Sequence, residues 1–255
     1  MSRKLLRSLL LVAALGFTVY AGVQTEFNPA LIYRGFFEND AFRQFIAGLW
    51  PLNWSILGEV AWEMLVTILI AWIGTLIATA IALPLSFMAA RNVAPAAAIG
   101  DATRLFFNVD RSIDVLIVAL IFVAAIGLGP LTGTLAIAIH SIGSMGKLFT
   151  EAIESIDRGP VEALESVGAT RTQTIRWAVV PQVMPYLISY FLYRLELNIR
   201  SAVVLGIVGA GGIGYMLNER IRQFQYHDVS MILLVIVVLV MVIDTLSARL
   251  RRTAV

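Results

Sequence analysis

The sequence contains no cysteine, only two histidines, and few charged residues for its length. The absence of cysteine excludes disulfide bonds, thiolate catalysis and cysteine-ligated metal sites. Neither His140 nor His227 has an acidic residue at a spacing that would build a metal site, and no serine lies in a nucleophile elbow. The chain also lacks the G-x-x-x-x-G-K-[ST] pattern that cradles nucleotide phosphates. We therefore expect no catalytic residue, no metal site, no bound cofactor and no ATP site in this chain.

The composition is that of a membrane protein. Hydrophobic residues make up 59% of the chain and charged residues 14%, and the mean hydropathy is +0.84. Soluble domains have about a quarter charged residues and under half apolar ones. The net charge is only +2 and no basic patch is interleaved with aromatic residues, which argues against a nucleic-acid partner. The predicted class is an all-α polytopic protein surrounded by a lipid bilayer.

The amino-terminal end joins a short basic segment to an apolar run from Leu9 to Val23. Secretory signal peptides share this pattern with uncleaved first helices whose basic end stays in the cytoplasm, and we favour the uncleaved helix. Residues 24–55 follow, with both signs of charge and the interfacial aromatics Trp50 and Trp54. Residues 1–55 are thus predicted to hold the first membrane helix and an extracytoplasmic loop that is partly helical.

Further apolar runs predict five more spanning helices. They lie at about Ile56 to Ala90, Ile113 to Leu128, Leu131 to about Phe149, about Met184 to Val208, and about Val229 to Ala248. The segment Arg91–Asn108 is ambiguous because Asp101 and Arg104 lie between its apolar parts. If it does not span, the chain has about six spans and both basic ends are cytoplasmic, as the positive-inside rule prefers. We therefore predict a partly embedded or interfacial helix there, a transmembrane domain at residues 56–249 and a cytoplasmic tail at residues 250–255.

The longest amphipathic, charged stretch is Glu162–Pro181, within a predicted cytoplasmic segment at residues 159–181. Gly159-Pro160 predicts a break followed by a new helix. That helix would have an apolar face and an acidic face, formed by Val161, Leu164 and Val167 and by Glu162 and Glu165.

The second half of this stretch predicts a turn and a return to the membrane. Gly168 favours the turn, Thr170 or Thr172 can cap a second short helix, and Pro181 and Pro185 mark the return. A helix-turn-helix that docks on a soluble partner fits this pattern, and so does a solvated or re-entrant loop.

The same stretch resembles the signature of a known family. Glu162-Ala163-Leu164, Gly168 and Pro181 match the EAA loop of type I ABC transporter permeases. Leu164 in place of alanine, Ala178 in place of isoleucine and Val180 in place of leucine depart from the family pattern but keep its polarity. In that family the loop inserts into a cleft on the ATP-binding subunit. The resemblance therefore implies contacts with that subunit by Glu162, Ala163, Leu164, Gly168 and Pro181.

A longer resemblance covers about Asn108 to Arg249. Residues 125–157 and 159–214, with the distinctive pieces Tyr193–Glu196 and Asn198–Ser201, are similar to the permease subunit of phosphonate ABC importers, a group that includes phosphite and hypophosphite importers. The resemblance implies a multi-pass protein of the cytoplasmic (inner) membrane that pairs with a second copy of itself. It also implies a dimer of ATP-binding subunits, which hold ATP and Mg²⁺, and an extracytoplasmic binding protein that selects the substrate.

The implied function is import of phosphonate or a related phosphorus oxyanion by alternating access. A permease of the same class for another small anion is an alternative. A secondary transporter or channel that works without ATP, and a purely structural membrane scaffold, are further alternatives.

The predicted fifth span is unusually polar. Two lines of side chains run along it, with Ser189, Tyr193, Glu196 and Arg200 on one side and Arg194, Asn198 and Ser201 on nearly the opposite side. Charges at membrane depth cost about 2.5–3.5 kcal/mol each and persist where they pair or face water. Glu196 with Arg200 fits an ion pair, whereas Arg194 or Arg200 also fits a passage for an oxyanion. Arg111 and Asp114, at the start of the third span, allow the same two interpretations.

The glycine cluster Gly209–Gly214 satisfies the G-x-G-x-x-G pattern of dinucleotide-binding turns. That interpretation requires a preceding strand in a βαβ unit, and here the cluster follows a membrane helix. We therefore predict a close helix contact or a bend at this point. His140 is expected to be a hydrogen-bonded residue within the bundle.

Overall fold

The computed structural model describes the backbone of residues 3–254 and the side chains of Arg7 and of residues 10–249. Within that part of the chain the regular elements are all helical, so the predicted all-α class is confirmed. Of the predicted tail at residues 250–255, Val255 and the remaining side chains lie outside the described residues, as do the side chains of Arg3 and Lys4. The chain divides into two compact units between Trp50 and Pro51.

The first unit contains three helices, α1 (Arg3–Gln24), α2 (Pro29–Phe37) and α3 (Asp40–Gly48). Asn28 caps α2 by accepting a hydrogen bond from the Ala30 amide at 2.9 Å, and Asn39 accepts one from the Ala41 amide at 2.9 Å at the start of α3. Stretches of α1 and α2 together are apolar enough to span, with a bend of 43° between them.

The second unit contains nine helices among the described residues. They are α4 (Leu57–Ala89), α5 (Ala97–Ser112), α6 (Val115–Ile126), α7 (Pro130–Glu154), α8 (Gly159–Ser166), α9 (Arg171–Thr174), α10 (Val180–Ile207), α11 (Ile213–Arg222) and α12 (Tyr226–Ala254). A 3₁₀ turn at Trp54–Ile56 precedes α4, and a π-helical turn at Ile175–Val179 joins α9 to α10.

By length and composition, two helical stretches of the described chain can each cross a membrane alone, Trp54–Ala89 and Tyr226–Arg249. The helix α6 is apolar but shorter. At 1.5 Å per residue, α7 and α10 are long enough to cross a hydrocarbon core of about 30 Å, although they contain more polar residues. The number of spans and the cytoplasmic location of both ends stay predictions.

The central helix of this unit is α7, which contacts α4, α5, α6 and α10. Its small residues allow this, because helices associate in membranes through glycine and other small side chains. A Cβ atom at Gly146 would overlap the ring of Phe107 on α5, and one at Gly133 would lie 2.8 Å from the carbonyl oxygen of Ala210. Phe107 is only 2% exposed. The ambiguous segment after α4 thus becomes a helix that is anchored to the bundle.

Candidate coupling segment and translocation path

The coupling segment, defined here as residues 159–181, begins with the helix α8, whose first amide has a side-chain acceptor just before the helix. The amide of Gly159 donates to Asp157 Oδ1 at 3.0 Å, and Pro160 lies in the first turn of α8, where a missing amide hydrogen costs nothing. After α8 the backbone of Gly168 takes a φ of +81°. The Gly168 amide donates to the Glu165 carbonyl at 3.1 Å and the Ala169 amide to the Leu164 carbonyl at 3.0 Å. These two bonds form a Schellman motif, so the predicted glycine turn is present.

The predicted second short helix is present as α9, with Thr170 at its N-cap as predicted, but it is not separated from the helix that follows. Thr170 begins it, with its amide donating to Gln173 Oε1 at 2.7 Å, but α9 runs through the π turn directly into α10. Pro181 lies in the first turn of α10 and Pro185 lies inside it. Because the widened π turn precedes Pro181, the helix continues past a residue that cannot donate an amide hydrogen bond.

The residues predicted to contact an ATP-binding subunit differ in exposure. Glu162, Ala163, Gly168 and Pro181 are exposed, whereas Leu164 is half-buried.

The predicted apolar face of α8 is divided rather than continuous. Val161 packs against the core of the bundle, while Val167 is 77% exposed. Val161 and Val167 therefore do not share one exposed face, because the first turn of α8 lies against its own bundle.

The coupling segment is fastened to the turn between α4 and α5. The guanidinium of Arg171 donates to the carbonyl oxygen of Val93, and the amide of Asn92 Nδ2 donates to the Ile153 carbonyl of α7 at 2.7 Å. A cavity of about 570 Å³ separates α8 from this turn, and its lining includes Arg158, Glu165 and Ile175.

A second fastening joins the end of α7 to the same turn. Glu154 accepts a hydrogen bond from the Arg91 amide at 2.8 Å and forms an ion pair with Arg104 of α5. Arg104 also donates through Nε to the Ala89 carbonyl at 2.9 Å. Sequence reasoning missed the two contacts of Glu154, because partners that lie 50 or more residues apart leave no periodic signal.

A buried polar cluster joins α4, α7 and α10. Asn198 Nδ2 donates to Thr75 Oγ1 at 2.9 Å and to Ser141 Oγ at 3.0 Å. All three side chains are almost completely buried, Asn198 being 2% exposed. Such a cluster positions the three helices because each of its polar groups would be costly to bury without a partner. Thr75 and Ser141 were not singled out in the sequence.

Arg194 lies beside this cluster. Its Nε donates to Ser141 Oγ at 3.3 Å. Asp110, at the end of α5, interacts with Arg194 electrostatically and accepts a hydrogen bond from the Gly143 amide at 2.7 Å. The structure thus brings Arg194 and Asn198 to one polar region inside the bundle.

Glu196 and Arg200 form the ion pair that their spacing permits. Arg200 Nη2 lies 2.9 Å from Glu196 Oε1 and 2.5 Å from Asp244 Oδ1 of α12. Glu196 is buried, and the side chains of Arg200 and Asp244 are each 41% exposed. The pair therefore fastens α10 to α12. Asp244 is a partner that sequence reasoning did not find.

The remaining candidates for the path are dispersed. Asp114 caps α6 by accepting a hydrogen bond from the Leu116 amide at 2.8 Å. Arg111 is exposed at the end of α5, and no ion pair joins it to Asp114 in the described part of the chain. Tyr193 is 44% exposed. His140 is half-buried and its Nδ1 lies 3.0 Å from the Ile113 carbonyl oxygen, as expected for a hydrogen-bonded residue of the bundle.

The glycine cluster makes a close helix contact, as predicted. Gly211 and Gly212 have φ angles of +78° and +72°, which allow the chain to turn into α11. The Ile213 amide donates to Thr67 Oγ1 of α4 at 2.8 Å. A Cβ at Gly206 would lie 2.7 Å from the Cα of Gly214, so α10 and α11 touch through their backbones. The helix α11 itself was not predicted.

Comparison with protein families gives a match for residues 82–253, to the family described as binding-protein-dependent transport system inner membrane component. The matched region is about two thirds of the chain and holds the coupling segment and the polar region of α10. The chain belongs to this family. It is therefore the membrane-spanning permease component of an ABC importer, and the inner membrane is its location.

Three curated relatives are similar over most of the chain. The putative phosphite transport system permease protein HtxC of Stutzerimonas stutzeri is 42% identical over 81% of this chain and 73% of the relative. The phosphite transport system permease protein PtxC of the same bacterium is 46% identical over 70% and 65%. The phosphate-import permease protein PhnE of Mycolicibacterium smegmatis is 40% identical over 92% of this chain but spans only 44% of that relative.

Solved structures of ABC importers share the fold. The inward-facing MetNI methionine ABC transporter has a chain that matches with a TM-score of 0.69 and 19% identity, over 80% of this chain and 100% of that chain. A bacterial ABC transporter involved in import of the acidic polysaccharide alginate matches with a TM-score of 0.60 and 18% identity, over 98% of each chain. These likenesses support the architecture and say nothing of the substrate.

Proposed function

We propose that this permease imports a phosphorus oxyanion, such as phosphonate or phosphite, by alternating access in an ATP-driven complex. The relatives with the names of phosphite and phosphate importers support this substrate class, since two of them exceed 40% identity. The ligand is selected by an extracytoplasmic binding protein and then released into the passage. A path of weak positive potential suits such a substrate, because a tight anion site would slow release.

A separate pair of ATP-binding subunits drives the permease through the coupling segment. The observation that supports this docking is the exposed surface of the coupling segment, which includes Glu162, Ala163 and Gly168. ATP and Mg²⁺ are held by the partner subunits. The carboxylate of Glu162 lies in the first turn of α8, next to amides with no helical partner, so its charge also stabilises the helix that docks.

Two permeases complete the passage. The second is another copy of this chain, or a similar permease with its own sequence. Co-expression of two differently tagged copies with the ATP-binding subunit tests the first form, since one tag must then retain the other through purification. Retention of a different permease in place of the second tag supports a heterodimer.

Reconstitution into liposomes tests the whole assignment. The complex of permease, ATP-binding subunit and binding protein is supplied with internal ATP, and uptake of phosphite, methylphosphonate, phosphate and sulfate is measured. We expect ATP-dependent uptake of at least one phosphorus oxyanion and none of sulfate. Uptake by the permease alone that follows an ion gradient would contradict an ATP-driven importer.

Charge reversal at the coupling segment gives the second arm of this test. Glu162→Arg is expected to separate ATP hydrolysis from uptake, because the docked end of α8 changes charge. The control is Asp101→Arg, which reverses an exposed carboxylate on α5 outside the segment. Equal effects of both substitutions would argue against a docking role for Glu162.

A further inference from the structure

Of the two arginines of α10, Arg194 has fewer polar contacts within the protein than Arg200. It lies near the middle of the helix Val180–Ile207 and is half-buried. Its one hydrogen bond in the structure runs from Nε to Ser141 Oγ at 3.3 Å, longer than the usual 2.7–3.2 Å for an N–H···O bond.

Two other arginines of the transmembrane domain, Arg200 and Arg220, have carboxylate partners. Arg200 lies 2.9 Å from Glu196 and 2.5 Å from Asp244, and Arg220 lies 3.1 Å from Glu59. No described carboxylate comes within ion-pair distance of Arg194.

Asp110 is held away from such a pair. Its Oδ2 accepts the Gly143 amide of α7 at 2.7 Å, and a Cβ at Gly143 would lie 2.6 Å from the same oxygen. Asp110 therefore lowers the local positive potential around Arg194 without neutralising its guanidinium.

The terminal nitrogens of Arg194 face accessible space. Among the buried side-chain nitrogen and oxygen atoms of the described residues, Nε of Arg220 is the one without a hydrogen-bond partner. No described residue accepts a hydrogen bond from the two Nη atoms of Arg194, and yet neither atom belongs to this set of buried atoms without a partner. Each Nη atom therefore keeps some solvent exposure. An arginine within a spanning helix generally faces the bundle interior or a water-filled cavity rather than lipid, because lipid offers it no partner.

We infer that Arg194 is the point in the translocation passage where the permease contacts the phosphorus oxyanion. Two Nη groups with outward N–H bonds match two oxygens of a phosphonate or phosphite, since arginine presents a planar fork to such anions. Ser141 holds the Nε side of the guanidinium, and Asn198 and Thr75 hold Ser141. Arg200, with its two carboxylates, fastens α10 to α12 instead. This inference rests on the proposed function.

The absence of cysteine in the chain allows a direct test. Arg194→Cys creates the only thiol in each copy of this chain. The variant is assembled with partner subunits from which any cysteine has been removed by substitution. Phosphite uptake into liposomes is measured before and after treatment with a cationic or an anionic methanethiosulfonate reagent. We expect Arg194→Cys to lower uptake about tenfold or more, as for loss of a charge-assisted hydrogen bond. The cationic reagent should restore part of it and the anionic reagent should not. Arg200→Cys is the matched control, in which the two reagents should not differ in this way.

Several outcomes would overturn the inference. Wild-type uptake by Arg194→Cys, lack of reaction with either reagent, or equal restoration by both reagents would each do so. Recovery of uptake in an Arg194→Gln, Asp110→Asn double variant would assign Arg194 to pairing with Asp110 rather than to the substrate. If Arg194→Cys does not assemble, uptake is compared between Arg194→Lys, which keeps the charge, and Arg194→Gln, which removes it. Wild-type uptake by an Arg194→Gln chain that assembles would also overturn the inference.

The same uptake measurements distinguish failure of the proposed function from failure of the inference about Arg194. In the first case the wild-type complex would show no ATP-dependent uptake of phosphite or methylphosphonate at all. Failure of the inference leaves wild-type uptake intact and removes only its dependence on Arg194.

Discussion

Arg171 of the coupling segment donates a hydrogen bond to the backbone carbonyl of Val93, in the turn between α4 and α5. The same turn is held to α7 by Asn92 and by Glu154. Under the proposed docking, a displacement of α8 and α9 would be transmitted to α4, α5 and α7 through this one short turn. A hydrogen bond to a backbone carbonyl suits this role, because it constrains the path of the main chain rather than a mobile side chain.

Removal of this bond should weaken coupling. Arg171→Ala is expected to lower the amount of substrate imported per ATP hydrolysed severalfold, since a hydrogen bond from a charged group contributes about 1.5–3 kcal/mol. The measurement is uptake and ATP hydrolysis in the same proteoliposomes. Arg176→Ala is the matched control, because Arg176 belongs to the same segment but stacks over Trp177 at 5.3 Å. An unchanged ratio in Arg171→Ala would remove this bond from the mechanism.

The turn at Gly168 should not tolerate a side chain. A Cβ there would meet no atom within 4 Å, so the cost of Gly168→Ala comes from its φ of +81° and amounts to about 1–2 kcal/mol. We expect lower coupling at near-normal expression, and a smaller defect in Gly168→Asn, since asparagine tolerates this backbone region better. Gly159→Ala is the control, because its Cβ would make ordinary contacts at 3.5 Å. If Gly168→Ala and Gly159→Ala transport equally well, backbone strain at the turn does not matter.

The contact between α10 and α11 should be sensitive to a single methyl group. In Gly214→Ala the new Cβ would overlap the carbonyl oxygen of Val203, and backbone cannot move aside as a flexible side chain can. The expected loss of stability is about 3 kcal/mol, at the upper end of ordinary overpacking. Thermal unfolding of the detergent-purified protein measures it. Gly58→Ala, whose Cβ would meet nothing within 4 Å, should unfold like the wild type.

Substitutions in the cluster of Glu196, Arg200 and Asp244 should be unequal. Asp244→Asn removes a half-exposed partner and should cost about 1 kcal/mol or less. Arg200→Gln should cost more, because it removes the guanidinium that lies 2.9 Å from the buried carboxylate of Glu196 and 2.5 Å from Asp244. The double variant Glu196→Gln, Arg200→Gln should recover part of that loss in the same unfolding measurement. A double variant as unstable as the sum of both single variants would show that the two residues act independently.

Much of the helical framework follows from local patterns. The start of α4 at Leu57 lies within one residue of the predicted Ile56, and its end at Ala89 within one residue of the predicted Ala90. The turn at Gly168 was also predicted, and α7 begins at Pro130, one residue before the predicted Leu131. Apolar periodicity, glycine and proline determine these features, because each acts within a few residues of chain.

Other features depended on packing between distant segments. The helix α11 was missed because it is short and follows a glycine-rich turn, and its first amide is satisfied by Thr67 of α4. The continuous run from α9 into α10 was missed because two prolines normally indicate an interruption, whereas here a π turn precedes them. Neither outcome can be read from propensity alone.

The amino-acid sequence by itself determined that this chain is an all-α membrane protein, that it resembles importer permeases, and that Glu162–Pro181 is its longest amphipathic, charged stretch. Periodicity and short motifs sufficed for this, because they act locally. The tertiary structure alone decided which polar residues have hydrogen-bond or ion-pair partners within the protein. Asp244 lies 44 residues from Arg200, and Thr75 lies 123 residues from Asn198, so only folding brings these partners together. Among the described residues, the same packing leaves the terminal nitrogens of Arg194 without a carboxylate at ion-pair distance, while Asp110 accepts the amide of Gly143.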